Sequence, residues 1–123
     1  MVAFSPDVFD SFLAAEDNLP VVMLNQIRFQ PDGGRDRYLE YLAMARPILA
    51  RFGAKILLGG DGLPVLTTGD AQEWDAIVLV QYPSRSTFKA MVDDPDYQVA
   101  FKVGASAIAD IVLQPLKPNA EMQ

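Results

Sequence analysis

Apolar positions along this chain fall into helical stripes and into short continuous runs, and the alternation between the two sets the order of elements. In "SPDVFDSFLAAED", Val8, Phe9, Phe12 and Leu13 share one helical face, behind Ser5 as N-cap, Pro6 at the first helical position and Asp7 in the first turn. This predicts a short amphipathic helix. "LPVVMLNQIRF" follows, apolar on both faces until Asn25 and Gln26, and predicts a buried central strand. After the turn "QPDGG", residues 35–52 read as a second helix with Tyr38, Leu42, Ala45, Leu49 and Phe52 on one face, Tyr41 and Ile48 beside it, and Pro47 as the cause of a kink or an imperfect hydrogen bond. Gly53 ends it. "AKILLGG" predicts a second strand, "VLTTG" a short edge segment, and "EWDAIVLVQY" the strongest strand of the chain. Two helices close the pattern: "PSRSTFKAMV", capped by Ser84, and "DDPDYQVAFKVGASAIA", capped by Asp94 with Pro95 in its first turn. "DIVLQPL" is a last strand ended by Pro115.

Without the first helix the order is βαββαβ, the split βαβ arrangement of an α+β, ferredoxin-like fold. Its helices cover one face of the sheet. Because "VVMLNQI" and "AIVLVQY" are apolar on both faces, the other face calls for a second copy of the same sheet, and a homodimer is expected. We divide the chain into an N-terminal amphipathic helix at residues 1–18, a ferredoxin-like α/β-barrel domain at 19–116 and a flexible tail at 117–123.

Composition narrows the chemistry. The 123 residues contain no cysteine and no histidine, so thiolate and imidazole ligands, a cysteine nucleophile and a Ser-His-Asp relay are all excluded, and no metal or organic cofactor is expected. A net charge of −6 argues against a nucleic-acid partner. No run approaches the roughly 18 apolar residues of a membrane span, and the N-terminus lacks a secretory pattern. A cytoplasmic protein with no membrane partner is expected.

The segments "PVVMLNQIRF", "YLEYLAMARPILARFGAKILLGG" and "EWDAIVLVQYPSRSTFKAMVDDPDYQ" resemble the domain of unknown function 1330 family and its close relatives in the dimeric α/β-barrel superfamily, over about residues 20–114. The resemblance implies a ferredoxin-like protomer, a homodimer whose two sheets form a barrel, and a cavity between sheet and helices in each protomer. It implies little chemistry, since the wider superfamily spans cofactor-free monooxygenases, cyclases, isomerases and haem-degrading enzymes. Members of the family usually carry a His-Arg pair shortly after "YQ", where this chain has Val103 and Gly104.

Gly104 therefore stands on the inward stripe of a helix, with Tyr97, Phe101 and Ile108, at a cost of roughly 1 kcal/mol relative to alanine. Room for a ligand, in a site of altered chemistry, is the reading adopted, with close helix packing as the alternative. Asn25 interrupts an apolar strand, where its amide would orient a carbonyl or enolate or bond neighbouring backbone. Tyr38, Tyr41, Tyr82 and Tyr97 converge on the same region and would bind a flat or phenolic ligand or simply pack. Asn25 and Tyr41 are the candidate catalytic groups; Tyr38, Tyr82, Tyr97, Phe101 and Gly104 join them as candidate substrate-binding residues. Arg28, Arg46, Arg85 and Lys102 are candidates for holding an anion, Trp74 and Asp75 for anchoring the strand entry in preference to rimming the pocket, and Asp93, Asp94 and Asp96 for helix capping rather than metal binding.

Two functions follow. The favoured one is a small-molecule-binding, cofactor-independent enzyme of isomerase, cyclase or monooxygenase type acting on a hydrophobic carbonyl or aromatic compound; the alternative is a non-catalytic binding or accessory dimer that has lost the family's polar pair. A buried carboxylate or lysine in the cavity would favour the enzyme, and an all-apolar cavity would favour binding.

Overall fold

The computed structural model describes residues 3–70 and 72–123. Its elements are α1 (Pro6–Ala14), β1 (Val21–Phe29), α2 (Gly34–Arg51), β2 (Lys55–Asp61), β3 (Ala76–Tyr82), α3 (Arg85–Asp93), α4 (Pro95–Ala107) and β4 (Ile108–Leu116), with a 3-10 turn at Ala120–Met122. The strands form one sheet in the order β2-β3-β1-β4, each neighbouring pair antiparallel, so the fold is ferredoxin-like. None of its helices is long and apolar enough to cross a membrane, among the described residues.

Residues paired across a sheet share a face. Met23, Asn25 and Ile27 lie opposite Val80, Val78 and Ala76, and this face turns towards the helices. Val21, Met23, Ile27, Val78, Val80 and Tyr82 are all buried on it. The other face carries Val22, Leu24, Ile77 and Leu79, with Val112 and Leu116 from β4, and no element among the described residues covers it. The double-sided apolar pattern of β1 and β3 thus has one face as the core of the protomer and one face open.

Several boundaries differ from the sequence expectation. "VLTTG" forms no strand: residues 65–69 belong to the loop between β2 and β3. β4 begins at Ile108, two residues before Asp110, and runs past Pro115, which pairs with Met23, to Leu116. Proline is tolerated there because β4 is an edge strand and its missing N–H faces no neighbour. α2 runs unbroken through Pro47, leaving the Ala43 carbonyl without its usual helical donor. Ser5 precedes α1 in extended conformation but its side chain makes no cap bond, whereas Ser84 and Asp94 accept the backbone N–H of Thr87 and of Asp96 and Tyr97.

α1 docks on α3 through aromatic contacts: the rings of Phe9 and Phe12 lie 6.0 and 6.3 Å from Phe88, which meets Tyr82 edge-on at 5.0 Å. A polar latch reinforces this. The Glu16 carboxylate accepts the Ser86 and Arg85 amides at the start of α3, at 2.9 and 3.3 Å, and Arg85 donates to the Phe12 carbonyl at 3.1 Å. These amides hold the Glu16 pKa down to about 2. An acceptor at a helix N-terminus meets otherwise unpaired N–H groups, which is why the carboxylate form is favoured.

Candidate functional site

Between the covered face of the sheet and the helices lies a cavity of about 640 Å3. Its volume lies within the usual range for small-molecule sites. All seven candidate substrate-binding residues line it. Asn25 enters from β1 and Tyr82 from the end of β3, Tyr38 and Tyr41 from α2, and Tyr97, Phe101 and Gly104 from α4.

The polar groups are few. Asn25 donates its amide N–H groups to the carbonyls of Met23 and Val78, at 3.3 and 3.2 Å, so its Nδ2 is taken by backbone while Oδ1 accepts nothing among the described residues. The hydroxyls of Tyr41 and Tyr97 are hydrogen-bonded to each other at 2.7 Å. Tyr38 stacks obliquely between Phe29 and Tyr41, with ring centres 5.5 and 5.6 Å away. Burial pushes the pKa of all four tyrosines upward, since an apolar surrounding penalises the phenolate. They are hydrogen-bonding phenols at neutral pH, not bases. Among the described residues the lining contains no Asp, Glu, Lys or Arg.

Gly104 is explained by Tyr41. A Cβ at position 104 would lie 2.8 Å from Tyr41 Cδ1 and 3.1 Å from its Cε1 and Cγ, so the space is filled by the tyrosine ring. The expectation of an empty volume for a ligand at this position is corrected accordingly: Gly104 lines the cavity, but what it admits is a ring from α2. Gly34 makes a similar approach one turn further along the helix pair, where a Cβ would meet the Ala107 carbonyl at 2.6 Å.

The charged candidates lie elsewhere. Arg28 stacks over Trp74 at 4.1 Å and pairs with Asp110 at 2.8 Å, and Asp75 accepts the Phe29 amide at 2.8 Å, so Trp74 and Asp75 anchor strand ends rather than rim the pocket. Arg85 belongs to the α1–α3 latch, while Arg46 and Lys102 are exposed and outside the lining. Asp94 caps α4 and, with Asp96, pairs with Arg51 at 2.8 and 3.2 Å; Asp93 pairs with Lys89. Sequence reasoning missed the contribution of α1, whose Val8, Phe9 and Phe12, with Phe4 just before it, form one wall of the cavity. The signal was its apolar stripe, which announced docking but not the surface on which it docks.

In the solved structures, a protein of unknown function from Rhodopseudomonas palustris is 30% identical, with 96% of each chain covered and a TM-score of 0.85. A dimeric ferredoxin-like protein of unknown function from Jannaschia sp. CCS1 is 17% identical over 80% of this chain and 99% of its own, with a TM-score of 0.62. Hydroxynitrile lyase from Passiflora edulis is 13% identical over 84% of this chain and 96% of its own, with a TM-score of 0.66, a likeness of fold. Among curated proteins none matches the chain. The family profile of the domain of unknown function DUF1330 matches residues 33–113, from the turn before α2 into β4 and so without α1 and β1, and the chain belongs to that family.

Proposed function

We propose that this protein is a small-molecule-binding homodimer, each protomer holding a neutral hydrophobic or aromatic compound between its sheet and its helices. The observation that carries this reading is the lining itself: seven candidate residues converge on a cavity of about 640 Å3 whose described walls hold four phenols, the Asn25 and Gln98 amides and the Ser5 hydroxyl but no charge. Apolar walls supply affinity and a few polar atoms supply orientation. The enzyme reading, of cofactor-independent isomerase, cyclase or monooxygenase type, asks for a group that takes up a proton near neutrality. Burial keeps the four tyrosines protonated, so the lining supports binding better than acid–base catalysis. Asn25 and Tyr41, the candidate catalytic pair, are assigned here to ligand orientation.

The homodimer is supported by the open sheet face and by the dimeric state of the Jannaschia protein. Binding is tested with Nile red, a neutral dye whose emission rises in apolar surroundings. The native protein is expected to bind it saturably, and Ala105→Trp, which places an indole in the cavity wall, is expected to weaken binding by tenfold or more, on the order of the cost of filling a pocket. Absence of binding, or equal binding by a folded Ala105→Trp variant, would remove the cavity as the site.

A further inference from the structure

The hydroxyls of the cavity do not balance. A tyrosine hydroxyl offers one proton, and the Tyr41–Tyr97 bond uses one of the pair's two, leaving one to donate. Tyr38 and Tyr82 are only 6% and 5% exposed, yet neither hydroxyl has a partner among the described residues. Nor are they sealed away, because Arg37 Nε is the only enclosed side-chain polar atom left unpaired among the described residues. Both side chains line the cavity, where a ligand is placed to meet hydroxyls that no described protein atom holds. The four lining tyrosines thus keep three unused protons: one on Tyr38, one on Tyr82 and one on the Tyr41–Tyr97 pair. Against them stand two side-chain amide oxygens, those of Asn25 and Gln98, whose N–H groups donate to backbone carbonyls, with the Ser5 hydroxyl able both to donate and to accept.

We infer that the cavity selects a flat, neutral ligand carrying two or more carbonyl oxygens, of the quinone or aromatic diketone class, whose oxygens accept from Tyr38, Tyr82 and the Tyr41–Tyr97 pair. The inference rests on the cavity being a binding site and adds the chemistry of what enters it. A hydrocarbon leaves buried donors unpaired, and an unpaired buried donor is costly. A polyphenol brings more protons to a site already short of acceptors. A carboxylate finds no cation in the described lining and must shed its hydration inside a protein of net charge −6. A carbonyl-rich ring system meets the excess donors while its faces lie against Phe9, Phe12 and Phe88.

The test compares three probes on one frame by calorimetry: 2-methyl-1,4-naphthoquinone, 2-methylnaphthalene and 2-naphthoate. No thiol of the protein can add to the quinone, because the chain has no cysteine. Its Kd is expected about tenfold or more below that of the hydrocarbon, with the naphthoate weakest. Tyr38→Phe and Tyr82→Phe, which remove only the hydroxyl, are each expected to raise the quinone Kd about three- to tenfold, and to leave the hydrocarbon Kd unchanged. Equal affinity for quinone and hydrocarbon, equal losses of both in the phenylalanine variants, or tightest binding of the naphthoate would overturn the inference while leaving a working cavity. Failure of every probe together with Nile red would overturn the inference and the proposed function alike.

Discussion

Gly104 and Tyr41 form a single steric unit. The ring of Tyr41 lies where a side chain at 104 would be, and that placement brings its hydroxyl to Tyr97. A methyl at 104 would meet a ring carbon near the root of the aromatic system, not a flexible tip, so relief requires the whole ring to shift. Gly104→Ala gains up to about 1 kcal/mol of helix propensity and loses roughly 1 to 3 kcal/mol to overpacking, a net destabilisation of about 0 to 2 kcal/mol. The distinguishing measurement is a double-mutant cycle by chemical denaturation. In a Tyr41→Leu background the same alanine is expected to become neutral or stabilising; an identical cost in both backgrounds would show that Tyr41 is not the reason for the glycine. The sequence identified the right residue and the right face here, because helical periodicity places position 104 inward. It favoured ligand space over packing and was wrong there, because that choice depends on a ring from another helix, and periodicity carries no information about which side chain arrives opposite.

α1 lies outside the family match and outside the βαββαβ core, yet it closes one side of the cavity. Its attachment combines the contacts of Phe9 and Phe12 on Phe88 with the Glu16 latch. Local pattern announced this helix clearly, since cap position, proline and apolar stripe all agree, but the latch was invisible in it: Glu16 and Ser86 are far apart in sequence and meet only once the helices dock. Glu16 has its pKa lowered from 4.5 to about 2 in the folded chain. A depressed carboxylate contributes stability that is fully present above the unfolded pKa and is lost as pH falls through the folded one. Docking of α1 is therefore expected to hold above about pH 4.5 and to loosen between there and pH 2. In an NMR titration the Ser86 amide shift should follow a midpoint near 2, and Glu16→Gln should abolish that titration and weaken Nile red binding through a less closed wall. A midpoint near 4.5 would mean that the carboxylate is not held by the α3 amides.

The protomer exposes 7936 Å2, whereas a monomeric protein of 13.5 kDa is expected to expose about 6,500 Å2. The excess is larger than the roughly 800 Å2 that each partner contributes to a standard interface. Much of it is apolar. Val112 and Leu116 are 39% and 38% exposed on the open sheet face, Leu58 is 62% exposed near its edge, and the adjoining β2–β3 loop carries Leu63 and Leu66 at 84% and 100%. The double-sided runs in β1 and β3 made this legible from sequence, because a strand with one wet face alternates, and these do not. The loop was not legible: "VLTTG" has strand-like composition, but after "DGLP" no neighbouring strand is placed to pair with it. Leu79 sits near the middle of the open face, directly opposite Leu24, and takes no part in the cavity lining. A carboxylate there would have to be buried without a partner in a sheet-to-sheet dimer, at a cost of several kcal/mol, yet would be solvated in a free protomer. Sedimentation equilibrium is expected to find the native chain dimeric at micromolar concentration and Leu79→Glu monomeric, with circular dichroism unchanged because the protomer core lies on the opposite face. If Leu79→Glu sediments as a dimer, the open face is not the interface; if the native chain is a monomer, two copies do not meet there at all, and the excess apolar surface belongs to a different partner.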